Sequence, residues 1–158
     1  MKQANEIIIS IYSNVYSKQP VSKSLQEVLG DCLRPVYEPL IRSIRRYHEE
    51  GRTEDVQQLK KKLPCFTPSG EFDGAHAIRN LRRHSNVICL DYDHVDHRLE
   101  MLRKIAEDEH TLCVLESPTD GLKVFVYVEQ VEGHHREAQA LVSRYYRELT
   151  GLESDMAC

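Results

Sequence analysis

Apolar residues in the first part of the chain follow a strand pattern and then a helical one. Residues 6–12 hold four isoleucines, whose β-branched side chains favour a strand. From Leu25 to Leu33 apolar residues recur at intervals of three and four, which is the spacing of one helix face. Pro35 suits the first turn of a second helix. Thr53, followed by two acidic residues, predicts a third helix that ends near Leu63.

The second part predicts the order strand, helix, strand, strand, helix. The run Val87–Leu90 is apolar without alternation, which is typical of a strand buried on both faces. A helix is expected over residues 97–108, with Asp96 as its N-cap. Strands are expected over residues 111–115 and 124–128.

Two helices of this part carry apolar stripes that predict their buried faces. In the shorter helix the residues expected to face the core are Leu99, Leu102 and Ile105. In the long helix after Gly133 they are Ala138, Leu141, Val142, Tyr145 and Leu149. Gly151 stands where a helix-ending glycine is expected.

Basic residues surround the junction between the two parts. Residues 64–70 contain two prolines and a glycine, which predicts a loop. Arg79, Arg82, Arg83 and His84 then lie on a predicted helix that leads into the strand at Val87. These side chains form either a solvated helix face or a local positive field. The lysines at the end of the third helix complement its dipole, and the candidate nucleic-acid contacts are Lys61, Lys62, Arg79, Arg82 and Arg83.

The element order of the second part is the split βαβ order of ferredoxin-like and RRM-like folds, without their last strand. In that arrangement the first strand is antiparallel to the third. Asp91 and Asp93 at the end of the first strand should therefore lie beside Gly121 and Lys123. A fourth strand would start after the last helix, on the other flank of the first strand, and would place Asp155 near the same corner.

The pair Asp91 and Asp93 predicts a cation site. Alternation along a strand is two-fold, so both carboxylates are expected on one side of the sheet. They repel each other unless a cation lies between them, and ligands with oxygen alone favour Mg²⁺ or Mn²⁺ over zinc. The alternative is a strand that runs into an acidic, solvated turn.

Composition narrows the functional classes. A chain of 158 residues with 41% hydrophobic and 29% charged residues is most simply one soluble domain. The net charge of −4 argues against bulk, non-specific nucleic-acid binding, so such contacts must come from local basic patches. The five cysteines form no CxxC pair, which favours a reduced, cytoplasmic setting. We expect no membrane segment and no signal peptide.

Three stretches resemble a known family, the N-terminal domains of virulence-associated protein E. They are residues 88–95 (Ile-Cys-Leu-Asp-Tyr-Asp-His-Val), residues 117–126 with their Ser-Pro and Gly-Leu-Lys-Val-Phe-Val segments, and the upstream loop at residues 63–70. That family in turn resembles the archaeo-eukaryotic primase (prim-pol) superfamily. The resemblance implies an α+β domain over residues 1–158, with an N-terminal αβ subdomain at 1–85 and an RRM-like subdomain at 86–158.

The resemblance also implies site residues and partners. Asp91 and Asp93 match the metal-binding acids, and Asp155 is the best match to the third. Ser117, Gly121 and Lys123 match the nucleotide-binding region, with Mg²⁺ or Mn²⁺ as cofactor. The implied partners are nucleoside triphosphates, a single-stranded DNA template and a helicase-like ATPase in the same or a neighbouring chain, in the replication of a mobile element or phage.

One residue departs from the superfamily pattern. Lys123 stands where most prim-pols have a nucleotide-binding histidine. Lysine can hold a triphosphate as a point charge but cannot copy the geometry of histidine. This departure bears on catalysis more than on nucleotide binding.

Three other functions compete with a nucleotidyltransferase. A catalytically inactive nucleic-acid-binding or replication-initiation module of the same fold agrees with Lys123 and the acidic net charge. A haloacid dehalogenase-type phosphatase would explain residues 91–95, but the remaining chain is too short for its parallel sheet. A zinc site at His94 and His97, or at His134 and His135, lacks suitably spaced cysteines, which favours surface histidines.

Overall fold

The fold is known from a computed structural model, which describes residues 4–155. These residues form five α-helices and three small antiparallel sheets, which confirms the predicted α+β class. They fall into two compact units that divide between Ser85 and Asn86. The absence of a last strand was predicted for the end of the chain, and residues 156–158 lie outside the described part.

The first unit contains two of the sheets. Its elements are β1 (Ile8–Tyr12), β2 (Val21–Ser24), α1 (Leu25–Cys32), α2 (Glu38–Glu49), α3 (Thr53–Lys60), β3 (Cys65–Thr67), β4 (Gly70–Phe72) and β5 (Leu81–His84). Strand β1 pairs antiparallel with β2 and with β3, and β4 pairs antiparallel with β5. Short 3-10 turns precede α2 and β5. The predicted strand and the three predicted helices are confirmed.

A capping box fixes the start of α1. The Ser24 hydroxyl accepts a hydrogen bond from the Glu27 amide at 3.2 Å, and the Glu27 carboxylate accepts one from the Ser24 amide at 2.9 Å. These bonds satisfy amides that the first turn of a helix leaves without a partner. Leu25 and Val28 then lie in the core, as the apolar spacing predicted.

Two predictions between residues 64 and 84 are wrong. The segment predicted as a loop contains β3 and β4, joined by a tight turn in which the Thr67 hydroxyl donates to the Gly70 carbonyl at 2.8 Å. The segment predicted as a helix is a 3-10 turn followed by β5. Pairing with β4 decides this structure, and a Cβ at Gly70 would lie only 2.2 Å from the Arg83 carbonyl oxygen. Local charge spacing carries no information about that pairing.

The second unit holds the third sheet and two helices. Its elements are β6 (Val87–Tyr92), α4 (Arg98–Ala106), β7 (Thr111–Glu116), β8 (Leu122–Tyr127) and α5 (His135–Thr150). The strand order is β6-β8-β7, and β8 is antiparallel to both neighbours. Strands β6 and β7 are therefore parallel to each other and separated by β8, as the split βαβ order predicted.

The core of the second unit covers one face of this sheet. Alternate residues of β6 and β8 belong to it, together with residues of both helices: Ile88, Leu90, Tyr92, Leu122, Val124, Val126, Ile105, Ala138 and Tyr146. Since the period of a strand is two, the intervening residues of β6 and β8 project to the opposite face. Asp91 and Lys123 are among those residues.

The helices of this unit differ from the prediction in three respects. The N-cap of α4 is His97, in a left-handed conformation without a side-chain cap, and not Asp96. Leu99 was predicted to face the core, but its side chain is 65% exposed. In α5 the buried aromatic residue is Tyr146, whereas Leu141 and Tyr145 are largely exposed. Ala138, Val142 and Leu149 lie in or against the core, as predicted. Gly151 ends the helix with a positive φ of 76°, also as expected.

Candidate functional site

Three charged residues lie side by side across the sheet of the second unit. Asp91 of β6 is directly opposite Lys123 of β8. On its other flank Asp91 forms an isolated antiparallel bridge with Asp155, whose amide donates to the Asp91 carbonyl at 2.8 Å. Directly opposed residues of antiparallel strands project to the same face. We call Asp91, Lys123 and Asp155 the charged rung, and the structure brings them together as the topology predicted.

An ion pair joins two members of the charged rung. The Lys123 ammonium donates a hydrogen bond to the Asp91 carboxylate. The Lys123 side chain is 36% exposed and the Asp91 side chain 21%, so water shields the pair less than it would on an open surface. The ammonium therefore compensates part of the Asp91 charge, and the divalent cation expected here stays a prediction. Asp155 is exposed.

Asp93 lies outside the strand that carries Asp91. Strand β6 ends at Tyr92, and His94 has a positive φ of 54°. The two-fold alternation that predicted a shared side for both aspartates therefore stops before Asp93. Asp93 is exposed, and its charge contributes to a raised pKa at His94. Its assignment as a metal ligand stays a prediction.

A histidine–aspartate contact joins the segment after β6 to the turn before β8. His94 Nδ1 lies 2.7 Å from Asp120 Oδ2, and this hydrogen bond, strengthened by the charge of Asp120, raises the pKa of His94. The Val95 amide also donates to the Asp120 carbonyl at 3.0 Å. His94 is exposed, as predicted for a surface histidine. The signal for the contact was the antiparallel pairing of β6 with β8, which makes these two segments neighbours.

The turn from Ser117 to Gly121 is held by its own hydrogen bonds. The buried Ser117 hydroxyl accepts from the amides of Gly121, at 2.9 Å, and Thr119, at 3.2 Å. Position 121 requires glycine, because a Cβ there would lie 2.2 Å from the Tyr92 carbonyl oxygen. Ser117 and Gly121 thus shape the turn beside the charged rung, and their binding of nucleotide stays a prediction.

The donor atoms of the charged rung fit a hard divalent cation that also binds a substrate. Within residues 4–155, no group of three or more histidine, cysteine or acidic side chains could hold a metal ion. Asp91 and Asp155 nevertheless bring two carboxylates to one rung. Mg²⁺ commonly binds one or two carboxylates together with water and substrate phosphates. The donor set therefore suits a metal–triphosphate complex better than a metal enclosed by protein.

The predicted nucleic-acid contacts all lie in the first unit. Lys61 follows the last turn of α3, and Arg79 belongs to the 3-10 turn before β5. Arg82 and Arg83 are exposed neighbours on β5, at the irregularity in its pairing with β4. The Arg83 guanidinium pairs with Glu71 at 2.8 Å. These arginines therefore do not share a helix face.

Comparison with protein families identifies the family of this chain. The family model described as BT4734-like, N-terminal domain, matches residues 58–158, more than half of the chain. The chain belongs to this family. The matched region contains β3, β4, β5 and all elements of the second unit, so the charged rung lies inside the family domain. No match to a curated protein or to a solved structure was found. No helix in the described part of the chain is long and apolar enough to span a membrane.

Proposed function

We propose that this chain is a primase/polymerase-like nucleotidyltransferase domain that binds a divalent metal and a nucleoside triphosphate at the charged rung. The observation that carries the proposal is the position of two carboxylates and one ammonium on a single rung of the β6-β8-β7 sheet. Residues from three separate stretches of sequence meet there. The proposed finer fold is RRM-like, and the resemblance to virulence-associated protein E and prim-pol proteins supports it.

The charged rung suits nucleotidyl transfer, in which a 3′-hydroxyl attacks the α-phosphorus and pyrophosphate leaves. Bound Mg²⁺ or Mn²⁺ would lower the repulsion around the triphosphate and favour the ionised 3′-hydroxyl. Asp91 and Asp155 would hold the ion, with Asp93 contributing from the end of β6. Lys123 would bind phosphate oxygens as a point charge. Positioning and electrostatics then supply the catalysis, without a covalent intermediate.

The proposed partners follow from the resemblance and from the basic residues of the first unit. A single-stranded DNA template would contact exposed cations such as Lys62, Arg79 and Arg82. A helicase-like ATPase in the same or a neighbouring chain would supply the unwound template. The proposed setting is the cytoplasmic replication of a mobile element or phage.

The ion pair supports a second candidate function. Because Lys123 neutralises part of the Asp91 charge, the charged rung attracts a metal ion less strongly than two uncompensated carboxylates would. A module that binds nucleic acid, or that acts in replication initiation without catalysis, is compatible with that arrangement. Nucleotide binding and primer extension separate the two candidates.

The decisive test is thermal unfolding with Mn²⁺ and dATP, followed by extension of a labelled primer on single-stranded DNA. Ligand at a hundred times its dissociation constant stabilises a native protein by about 2.7 kcal/mol. We expect such a stabilisation in the wild type and its loss in the double variant Asp91→Asn, Asp93→Asn. The matched control is Asp96→Asn, a nearby exposed acid. If Mn²⁺ and dATP leave the unfolding temperature of the wild type unchanged, the proposal is wrong. Binding without primer extension would favour the second candidate.

A further inference from the structure

The position of the Lys123 ammonium is set by the backbone. Lys123 and Asp91 are direct cross-strand neighbours, in a register that is continuous from Val87 to Tyr92 of β6. Neighbours of this kind have Cβ atoms about 5 Å apart, so their side chains need little ordering to meet. The ammonium therefore binds one oxygen of the Asp91 carboxylate.

A divalent metal and this ammonium cannot both bind Asp91 without cost. Mg²⁺ binds carboxylate oxygen at about 2.0–2.1 Å. An ammonium on the same carboxylate would then lie within a few ångströms of a doubly charged ion, at a site that water only partly shields. Repulsion between the two cations lowers the affinity of each for the carboxylate. Metal alone must therefore compete with Lys123.

A triphosphate offers the ammonium another anion. The lysine side chain has a flexible four-carbon stem and three donors, and it binds phosphate oxygens as a compact charge. When a phosphate oxygen accepts from Lys123, the ammonium no longer competes with the metal for the Asp91 carboxylate. The metal in turn lowers the charge of the triphosphate, so each ligand favours the binding of the other.

The geometry points to Lys123 as the residue that couples metal binding to triphosphate binding. Without nucleotide it competes with Mg²⁺ or Mn²⁺ for Asp91, and with nucleotide it transfers to a phosphate oxygen. This inference rests on the proposed function and adds the order of events at the same site. Because coupling is reciprocal, dATP must raise the affinity for Mn²⁺ by the same factor by which Mn²⁺ raises the affinity for dATP.

The test is to measure free Mn²⁺ by electron paramagnetic resonance during titration of the chain, with and without dATP. The variants are Lys123→Met and Lys123→Gln, which remove the charge and keep much of the side-chain length. The control is Lys104→Met, an exposed lysine on α4. Without dATP, both Lys123 variants should bind Mn²⁺ about threefold to tenfold more tightly than the wild type and the control. In the wild type dATP should raise Mn²⁺ affinity at least about fivefold, after correction for the Mn²⁺ that dATP binds in solution, and in the variants this factor should be smaller.

Several outcomes of this titration would contradict the coupling by Lys123. Folded Lys123 variants with unchanged or weaker Mn²⁺ binding would overturn the competition. If both variants fail to fold, the wild type alone decides, because equal Mn²⁺ affinity with and without dATP would exclude coupling. A wild type that binds Mn²⁺ and dATP independently contradicts only this inference. A wild type that binds neither contradicts the proposed function as well.

Discussion

The amide of Asp155 donates a hydrogen bond to the carbonyl oxygen of Asp91, with an N···O distance of 2.8 Å. This bond brings the segment after α5 back along the outer edge of β6. Asp91 consequently has a charged neighbour on each side, with Lys123 on β8 and Asp155 on the opposite flank. A residue far along the chain thereby contributes a second carboxylate to the same rung. The candidate site depends on that return of the chain as much as on the Asp91–Asp93 motif.

The close approach at Gly121 leads to a prediction about stability. Gly121→Ala should lower the free energy of unfolding by about 1–3 kcal/mol, because its Cβ would lie 2.2 Å from the Tyr92 carbonyl oxygen and the backbone must shift. Chemical denaturation measures the change. Gly30→Ala is the control, since that position of α1 has open space and alanine in a helix stabilises by about 0.5–1 kcal/mol. A loss at Gly121 no larger than a few tenths of a kcal/mol would contradict the packing of the turn against β6.

Two adjacent tyrosines of α5 allow a matched comparison. The hydroxyls of Tyr145 and Tyr146 donate to the two oxygens of Asp108, at 2.7 and 3.3 Å, and the Tyr146 hydroxyl also lies 2.7 Å from the Thr111 hydroxyl. Tyr146 is fully buried, whereas Tyr145 is 41% exposed. Tyr146→Phe should therefore cost about 1–2 kcal/mol, because its partners lose a hydrogen bond that water cannot readily replace.

Tyr145→Phe is the control for this pair, and its effect should stay within about 0.5 kcal/mol. Both values come from denaturant unfolding of variants that each lack one hydroxyl. Equal costs for the two substitutions would mean that burial does not set the strength of the Asp108 contacts.

The predicted elements that are correct are those with strong local patterns. The apolar run of β6 and the apolar spacing of α1 each lie within a single segment. The β6-β8-β7 order also followed, because few arrangements accommodate strand, helix, strand, strand, helix. Strand β5 was missed because its pairing with β4 is not encoded in its own residues. In α5, adjacent Tyr145 and Tyr146 both fit a helical stripe, and only the packed core shows which one is buried.

In the candidate site, too, strand pairing was predictable and loop conformation was not. Strand register made Asp91 and Lys123 neighbours, so their proximity was predictable from topology. The direction of the Asp93 side chain was not predictable in this way, because β6 ends one residue earlier and the chain enters a left-handed turn at His94. The contact of His94 with Asp120 depends on the conformation of two loops. Loop conformation of this kind arises from tertiary hydrogen bonds rather than from a periodic pattern.

Two histidines should respond to pH in opposite ways. Hydrogen bonding to Asp120 raises the pKa of His94, so its contribution to stability is present below its unfolded pKa of about 6.5 and is lost as pH rises through the folded pKa. Burial lowers the pKa of His135, so the free energy of unfolding should fall as pH falls from about 6.5 through the folded pKa. Titration of the imidazole signals by NMR measures both values. Asp120→Asn should return the pKa of His94 toward its usual range and leave that of His135 unchanged. A pKa of His94 at or below 6.5 in the wild type would exclude the ion pair in solution.

The most specific prediction concerns the carboxylate of Asp155. Asp155→Asn keeps the backbone amide that bonds to Asp91, so the variant should unfold at the same temperature as the wild type without ligands. It removes one of the two carboxylates of the charged rung, and the affinity for Mn²⁺ in the presence of dATP should fall at least about tenfold, as is typical when a charged hydrogen-bonding or ligand group is lost. Glu153→Gln is the matched control, because Glu153 lies two residues earlier and pairs with Arg147 at 3.2 Å. Isothermal titration of each variant with Mn²⁺ and dATP provides the comparison. Equal affinities for the two variants and the wild type would show that the return of the chain beside β6 is structural and that the metal site, if one exists, does not include Asp155.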